Sequence, residues 1–242
     1  MQAIVMAAGM GNRLGEITKY IPKAMVTIDN LPLINYVLRF LNHIHLLSEV
    51  IVVCGYRHEV LINYLSEIQR NFNYKLKIVE NREFSKGNIL SLQAGIKHVT
   101  GDFLLMNTDH IYNPKISEIF NSRYKEITAI CDSDRVLHDD DMKVHLKDEN
   151  IVKIDKKLET YEKGYVGMTF IPSLKLRVYK KALEQVLNEF GEEKNAEFIL
   201  QYLADHGETI KCIDISGYGW VEVDTIEDKI KAEKTIKSEK WY

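Results

Sequence analysis

Short apolar runs alternate with helical patterns along the first half of the chain. Residues 2–7 (QAIVMA), 49–54 (EVIVVC), 75–80 (KLKIVE) and 102–107 (DFLLMN) are each brief, rich in Val, Ile or Leu, and end in polar residues, which predicts buried strands. Between them, 33–45, 57–70 and 88–98 carry apolar residues at helical spacing, as in Leu33, Tyr36, Val37 and Phe40. Strand–helix alternation of this pitch predicts an α/β fold, a Rossmann-like three-layer sandwich around a mostly parallel sheet. The second half differs. Residues 127–131, 142–147, 151–155, 164–171 and 209–215 are strand-like, and helices are predicted near 174–189, 195–205 and 225–237. This portion is expected to add mixed or antiparallel strands to the same core.

The chain has 242 residues, and with 4 Pro, 13 Gly and no Gly/Ser linker it shows no clean boundary, so a single domain over 1–242 is expected. There is no internal repeat, and no hexapeptide pattern follows residue 225 to suggest an appended β-helix. Composition narrows the function. Hydrophobic residues make up 45% and charged residues 28%, a globular balance, and 32 Lys plus Arg against 35 Asp plus Glu leave a net charge of −3. That argues against nucleic acid or an anionic membrane as partner. No apolar run approaches the roughly 18 residues of a membrane helix, and the start MQAIVMAAGMGNR lacks the pattern of a secretory signal. Cys54, Cys131 and Cys212 are odd in number and far apart, as in a cytoplasmic protein with reduced thiols. No pattern specifies an oligomeric state.

The chemistry begins at Ala7-Ala8-Gly9-Met10-Gly11-Asn12-Arg13, directly after the first predicted strand. Glycines there let backbone N–H groups approach a phosphate, and Arg13 and Lys23 would supply positive charge beside it; an ordinary tight turn is the alternative. A dinucleotide-binding loop would need a third glycine where Leu14 stands, which weighs against an NAD-linked oxidoreductase, and no P-loop run exists. In an open parallel sheet of order 3-2-1-4, ligands bind where strand order reverses, between the ends of the first and fourth strands. Asp109 would face the glycine loop there. A second carboxylate, Asp224, precedes the last helix. Together they would form a hard-oxygen site suited to Mg²⁺; the alternative for Asp109 is a helix or turn cap, and for Asp224 the N-cap of the 225–237 helix.

Ala-Ala-Gly-x-Gly-x-Arg followed about ten residues on by Pro22-Lys23 resembles the signature of the nucleotidyltransferase family that includes the sugar-nucleotide pyrophosphorylases. The resemblance implies Mg²⁺ bound through an Asp after the fourth strand and another late in the chain, hence Asp109 and Asp224, with Arg13 and Lys23 as catalytic cations. It also implies a nucleotide-binding half, 1–125, and an acceptor-binding half, 126–242. Lys86-Gly87-Asn88 with Ser91, the 109–112 segment, and Val152-Lys153-Ile154 leading to Leu158 look most like the CTP-using inositol-1-phosphate cytidylyltransferases. Phe84-Ser85-Lys86-Gly87-Asn88 replaces the Gln-Pro-x-Gly-Leu loop of thymidylyl- and uridylyltransferases.

The expected reaction is transfer of a cytidylyl group from CTP to inositol 1-phosphate. Phosphocholine and sugar 1-phosphates are the alternative acceptors, and a nucleotide-sensing module with a dead site is an alternative of another class. Backbone at Ala7 and Ala8, with Glu80 or Asn88, would contact a cytosine; Asn88 is equally placed to be a helix N-cap. Lys156, beside Lys157, matches the family's acidic-Lys pair that holds the acceptor phosphate, and Glu197 its acidic residue for acceptor hydroxyls, or else an exposed helix residue. Gly167 on the 164–171 strand would allow close ligand approach or mark a bulge. Choline would need an aromatic cage, for which Tyr112, Tyr165, Tyr218 and Trp220 are candidates. The acidic runs Asp132-Ser133-Asp134 and His138-Asp139-Asp140-Asp141 are expected to be solvated loops, and His110 to orient Asp109 or simply to pack. No membrane-spanning region follows, so a later lipid- or diester-forming step is expected on another protein.

Overall fold

The computed structural model describes residues 1–122 and 124–242. The first half runs β1 (Gln2–Ala7), two 3₁₀ segments (Asn12–Thr18 and Lys23–Met25), a hairpin of β2 (Thr27–Ile28) and β3 (Leu31–Pro32), α1 (Leu33–Asn42), β4 (Glu49–Cys54), α2 (His58–Ile68), β5 (Lys75–Glu80), α3 (Asn88–Ile96) and β6 (Phe103–Asn107). The second half runs β7 (His110–Tyr112), β8 (Ile127–Asp132), β9 (Lys143–Lys147), β10 (Asn150–Asp155), β11 (Lys163–Ile171), α4 (Ser173–Phe190), α5 (Phe198–Asp205), β12 (Ile210–Asp214), β13 (Trp220–Glu222) and α6 (Ile226–Glu239). Among the described residues no helix is long and apolar enough to cross a membrane.

The four parallel strands lie in the order β5-β4-β1-β6, which is the 3-2-1-4 arrangement of the four predicted strands. Strand alternation sorts their side chains to two faces. Ile4, Met6, Ile51 and Val53 pack with α3, α4 and α5, whereas Ala3, Val5, Val50 and Val52 pack with α1 and α2. That is a three-layer sandwich. β11 joins the second half to the sheet antiparallel to β6 and β8, and β12 runs parallel to β8. β9 and β10 form a hairpin, β10 meets β12, and β9 meets the start of β11, so these five strands close a ring of pairings.

Two pairs of short strands were not expected, the β2–β3 hairpin and the pairing of β7 with β13. β7 and β13, three residues each, pair antiparallel as Trp220↔Tyr112, Val221↔Ile111 and Glu222↔His110. Such short runs carry too few positions to show a period, so only their pairing reveals them. A third apolar cluster lies beneath this ribbon, where Leu14, Ile28, Ile111, Val221, Val223 and Ile236 meet. Leu14, at the place of the missing third glycine, is thus a core residue.

In the second half, Lys163 at the start of β11 donates to Asp214 at the end of β12 (2.7 Å), and the Ser133 hydroxyl donates to the same oxygen (2.7 Å). Burial opposes ionisation, but these partners hold the Asp214 carboxyl down at about 2, below its ordinary 3.8. A depressed carboxyl contributes stability in full above its unfolded pKa and loses it as pH falls through the folded one. Asp214→Asn is therefore expected to destabilise the fold by about 1–2 kcal/mol at pH 7. Chemical denaturation should show that difference shrinking from pH 4 towards pH 2.

Candidate active site

The glycine loop and the Pro-Lys segment are built as one unit. Gly11 adopts a left-handed conformation (φ 71°), and a Cβ on it would stand 3.0 Å from Cβ of Lys23. The Lys23 N–H donates to the Gly9 carbonyl (3.3 Å). Only glycine satisfies both the φ and the close approach, which accounts for the coupling of the two motifs. Gly9, by contrast, faces open space.

The β7–β13 ribbon brings the two remote acids together. Asp109 precedes β7 and Asp224 follows β13, and the Val223 N–H donates to the Asp109 carbonyl (2.8 Å). Lys23 Nζ then donates to Asp109 (2.7 Å) and to Asp224 as well. Two carboxylates sharing one ammonium lie within about 6 Å of each other. Arg13 donates to the other oxygen of Asp224 and to Asp140 (2.8 Å). Asp224 is not the helix N-cap: Thr225 is, in a capping box with Asp228, and the Asp224 carboxylate is left for the two cations.

Burial opposes the charge on Lys23, but Asp109 and Asp224 overcome it and raise its pKa. Burial likewise opposes ionisation of Asp109, yet Lys23 and His110 hold its carboxyl well below the usual range. His110 is buried, with Nδ1 2.6 Å from Asp109 and its ring stacked on Tyr112 and Trp220 (centroids 5.8 and 5.2 Å apart). It takes the orienting place beside Asp109. Gly167 sits at the β11 bulge with φ 72°, where a Cβ would come within 3.0 Å of His110 Cε1 and 3.2 Å of Asn107 Nδ2. Gly167→Ala is expected to cost about 1–3 kcal/mol through backbone strain. By displacing His110 it should also slow turnover roughly 10-fold to 10²-fold, as thermal unfolding and steady-state rates would show.

These residues border a cleft of about 390 Å³ beyond the ends of β1 and β6. Of the residues singled out in the sequence, Gly9, Gly11, Arg13, Lys23, Asn88, Asp109, Lys156, Gly167, Glu197 and Asp224 line it. Ala7, Ala8 and Glu80 do not. Both alanines are buried beneath the loop, and the Ala8 carbonyl accepts from the Tyr56 N–H (3.1 Å). Glu80 ends the outermost strand, with β4 between it and β1, and its carboxylate turns to Arg82 (3.3 Å).

Asn88 is not an N-cap of its own helix. Gly87 holds that place, a Cβ on Gly87 would meet the Glu192 carbonyl at 2.0 Å, and the Asn88 carboxamide accepts from the Ala196 N–H (2.8 Å). The Lys86-Gly87-Asn88 signature thus clasps the two halves together, Lys86 pairing with Glu192 (3.1 Å) and Asn88 accepting just before α5 begins at Phe198. Lys156 lines the cleft and Lys157 does not. Glu197 is half-buried there, 3.5 Å from Asn107 Nδ2.

Three acidic residues of the cleft were not expected there. Glu222 lies on the same side of its strand as Asp224, a period-2 signal that was available; burial raises its carboxyl pKa against the pull of His110. Asp140 and Asp141 are not merely a solvated loop: both border the cleft, and Asp140 spans it to Arg13. The other acidic run is structural, with Asp132 accepting from Trp220 Nε1 and from the Asp134 N–H.

Carboxylate oxygens from Asp109 and Asp224 that converge on one cation form a hard donor set that fits Mg²⁺. A glycine loop, two cations and such a donor set at the switch point can hold and neutralise a polyphosphate, which is the task of nucleotide-using transferases. Residues 3–206 match the MobA-like NTP transferase domain family, and the chain belongs to that family. It is a nucleotidyltransferase. A bifunctional IPC transferase and DIPP synthase of Rubrobacter xylanophilus is 28% identical over 238 residues, 97% of this chain but 51% of the relative. The chain thus spans about half the length of that relative. A UTP–glucose-1-phosphate uridylyltransferase of Haloferax volcanii is 28% identical over 244 residues, 99% of this chain and 98% of the relative. Among solved structures, the inositol-1-phosphate CTP transferase of T. maritima superposes with a TM-score of 0.79 at 25% identity, covering 98% of this chain and 96% of the other. A CTP:phosphocholine cytidylyltransferase of Streptococcus pneumoniae reaches 0.76 at 17%, covering 97% and 98%, a likeness of fold.

Proposed function

We propose that this protein transfers a cytidylyl group from CTP to inositol 1-phosphate, giving CDP-inositol and pyrophosphate. The nucleotide is taken by residues 1–125 and the acceptor by 126–242, with Asp224 reaching back from the second half to the nucleotide. Asp109 and Asp224 would hold Mg²⁺, which when bound neutralises triphosphate charge. The N–H groups of the Gly9–Gly11 loop face the phosphates, and Lys23 and Arg13 exchange carboxylate partners for phosphate oxygens. An oxygen of the acceptor phosphate, held by Lys156, attacks the α-phosphorus, the bond to the β-phosphate oxygen breaks, and pyrophosphate leaves in line. That oxygen is already ionised near neutral pH, so these residues need supply no general base. Asn88, clasped to Ala196, borders the base end of the cleft.

The observation that carries the choice of acceptor is the fate of the aromatic residues. Trp220 has Arg135 over its ring at 4.5 Å and is itself stacked with His110, Tyr112 is fully buried, and of the four cage candidates only Tyr165 lines the cleft. No aromatic cage for a quaternary ammonium is assembled among the described residues, whereas Glu197 and Asn195 offer hydrogen bonds to hydroxyls. That favours a polyol phosphate over phosphocholine. The likeness to the T. maritima structure and the Lys86-Gly87-Asn88 loop support CTP and inositol. The full-length match to the Haloferax relative favours a second reading, a sugar 1-phosphate with UTP.

A pyrophosphate-release screen crossing four nucleoside triphosphates with inositol 1-phosphate, phosphocholine and glucose 1-phosphate decides between them. CTP with inositol 1-phosphate is expected to turn over fastest. Faster release with phosphocholine, or with UTP and glucose 1-phosphate, would replace this reading.

A further inference from the structure

A second cavity, of about 290 Å³, lies between α1, the end of α2 and Tyr242, with none of the residues that border the cleft in its wall. Asn35 and Arg39 on α1 and His43 at its C-cap recur at i, i+4 and i+8 and place a polar stripe along a helix whose neighbours Ile34, Val37, Leu38 and Leu41 are all core. Ile68, Phe72 and Tyr242 supply an apolar and aromatic wall opposite.

Two features of the stripe are only partly used by the fold: the Asn35 amide reaches the Tyr64 hydroxyl, and Arg39 is exposed. Asn35 is 8% exposed, and its Oδ1 has no hydrogen-bond partner among the described residues. A buried, unpaired amide oxygen is costly, and a half-turn of the amide exchanges its two ends at the cavity wall. Arg39 has no carboxylate within ion-pair distance among the described residues, and its charge is felt at Tyr36, Tyr64 and Tyr242, whose pKa values it lowers against their burial. An unpaired guanidinium beside aromatic walls is suited to an anion carried on a flat ring.

We propose that this rear cavity is a second ligand site, which takes a nucleoside monophosphate: phosphate on Arg39 and His43, ring against Phe72 and Tyr242, and the exocyclic amino group of the base on Asn35. Its size is at the small end of ligand cavities, which run from roughly 300 Å³ upward, and suits one phosphate better than a nucleoside diphosphate conjugate. Tyr242 donates to the Tyr112 carbonyl (2.9 Å), Tyr112 stacks on His110, and His110 bonds Asp109, so three consecutive contacts join this wall to the cleft.

The test is an NMR titration of the whole protein with AMP, beside adenosine and orthophosphate alone. AMP is expected to give saturable shifts at Asn35, Arg39, Phe72 and Tyr242. Arg39→Met, at an exposed site, should weaken that titration at least tenfold, and Asn35→Leu should weaken it while raising the melting temperature, as expected where a polar group is kept for binding at the expense of stability. AMP shifts confined to residues 9–23 and 107–110, an unchanged midpoint in Arg39→Met, or orthophosphate reproducing the AMP midpoint would each overturn the proposal.

Discussion

Asp109→Asn is expected to reduce turnover by a factor on the order of 10³ or more. The carboxylate accepts from Lys23 and His110 and is held ionised well below the usual range, so it carries a full negative charge at any pH of interest. Asparagine keeps the shape and removes that charge. It also presents an NH₂ group where a donor from Lys23 or His110 now points, so either one hydrogen bond is lost or His110 changes its tautomer. The divalent metal would lose a hard oxygen ligand at the same stroke. Lys23 retains Asp224 as a partner, and the fold is expected to survive with a loss of about 1–3 kcal/mol. Circular dichroism and thermal unfolding would establish the fold, and a pyrophosphate-release assay the rate. Turnover like that of the unaltered protein at saturating Mg²⁺ would remove Asp109 from the site.

Lys23→Ala is expected to slow the reaction by about 10² or more, because the ammonium would face the charge that develops as pyrophosphate departs. Its second consequence is electrostatic and can be read without substrate. Lys23 stands between Asp109 and Asp224, and its removal leaves two carboxylates facing each other in a poorly solvated place. Their pKa values must then rise. A carboxyl whose folded pKa is raised stabilises the folded state as pH falls through it, so the variant's stability deficit should shrink on acidification. Added Mg²⁺ should restore part of the deficit at neutral pH by replacing the lost positive charge. A rate close to normal, with only a small change in nucleotide affinity, would leave Lys23 a positioning role. A deficit indifferent to both pH and Mg²⁺ would mean that the two carboxylates do not form one site.

Features that depend on neighbours along the chain are legible in the residues alone. Buried strands show as short Val/Ile/Leu runs and helices as i, i+3, i+4 stripes, so the parallel strands and all six helices stand within a few residues of their expected bounds. Gly11 was legible because a left-handed backbone beside Lys23 tolerates nothing else.

Which charges meet follows from the folded arrangement. Lys23 and Asp224 are 201 positions apart, and they are joined by a ribbon of two three-residue strands too short to leave a period. Whether Asp224 caps a helix or faces a cation depends on Thr225 taking the cap. The exclusion of Glu80 depends on the number of strands between it and the loop, and the inclusion of Asp140 and Glu222 on a crossing of the cleft and on one strand face. Electrostatic partners are chosen by distance through space, which local patterns of hydrophobicity do not encode.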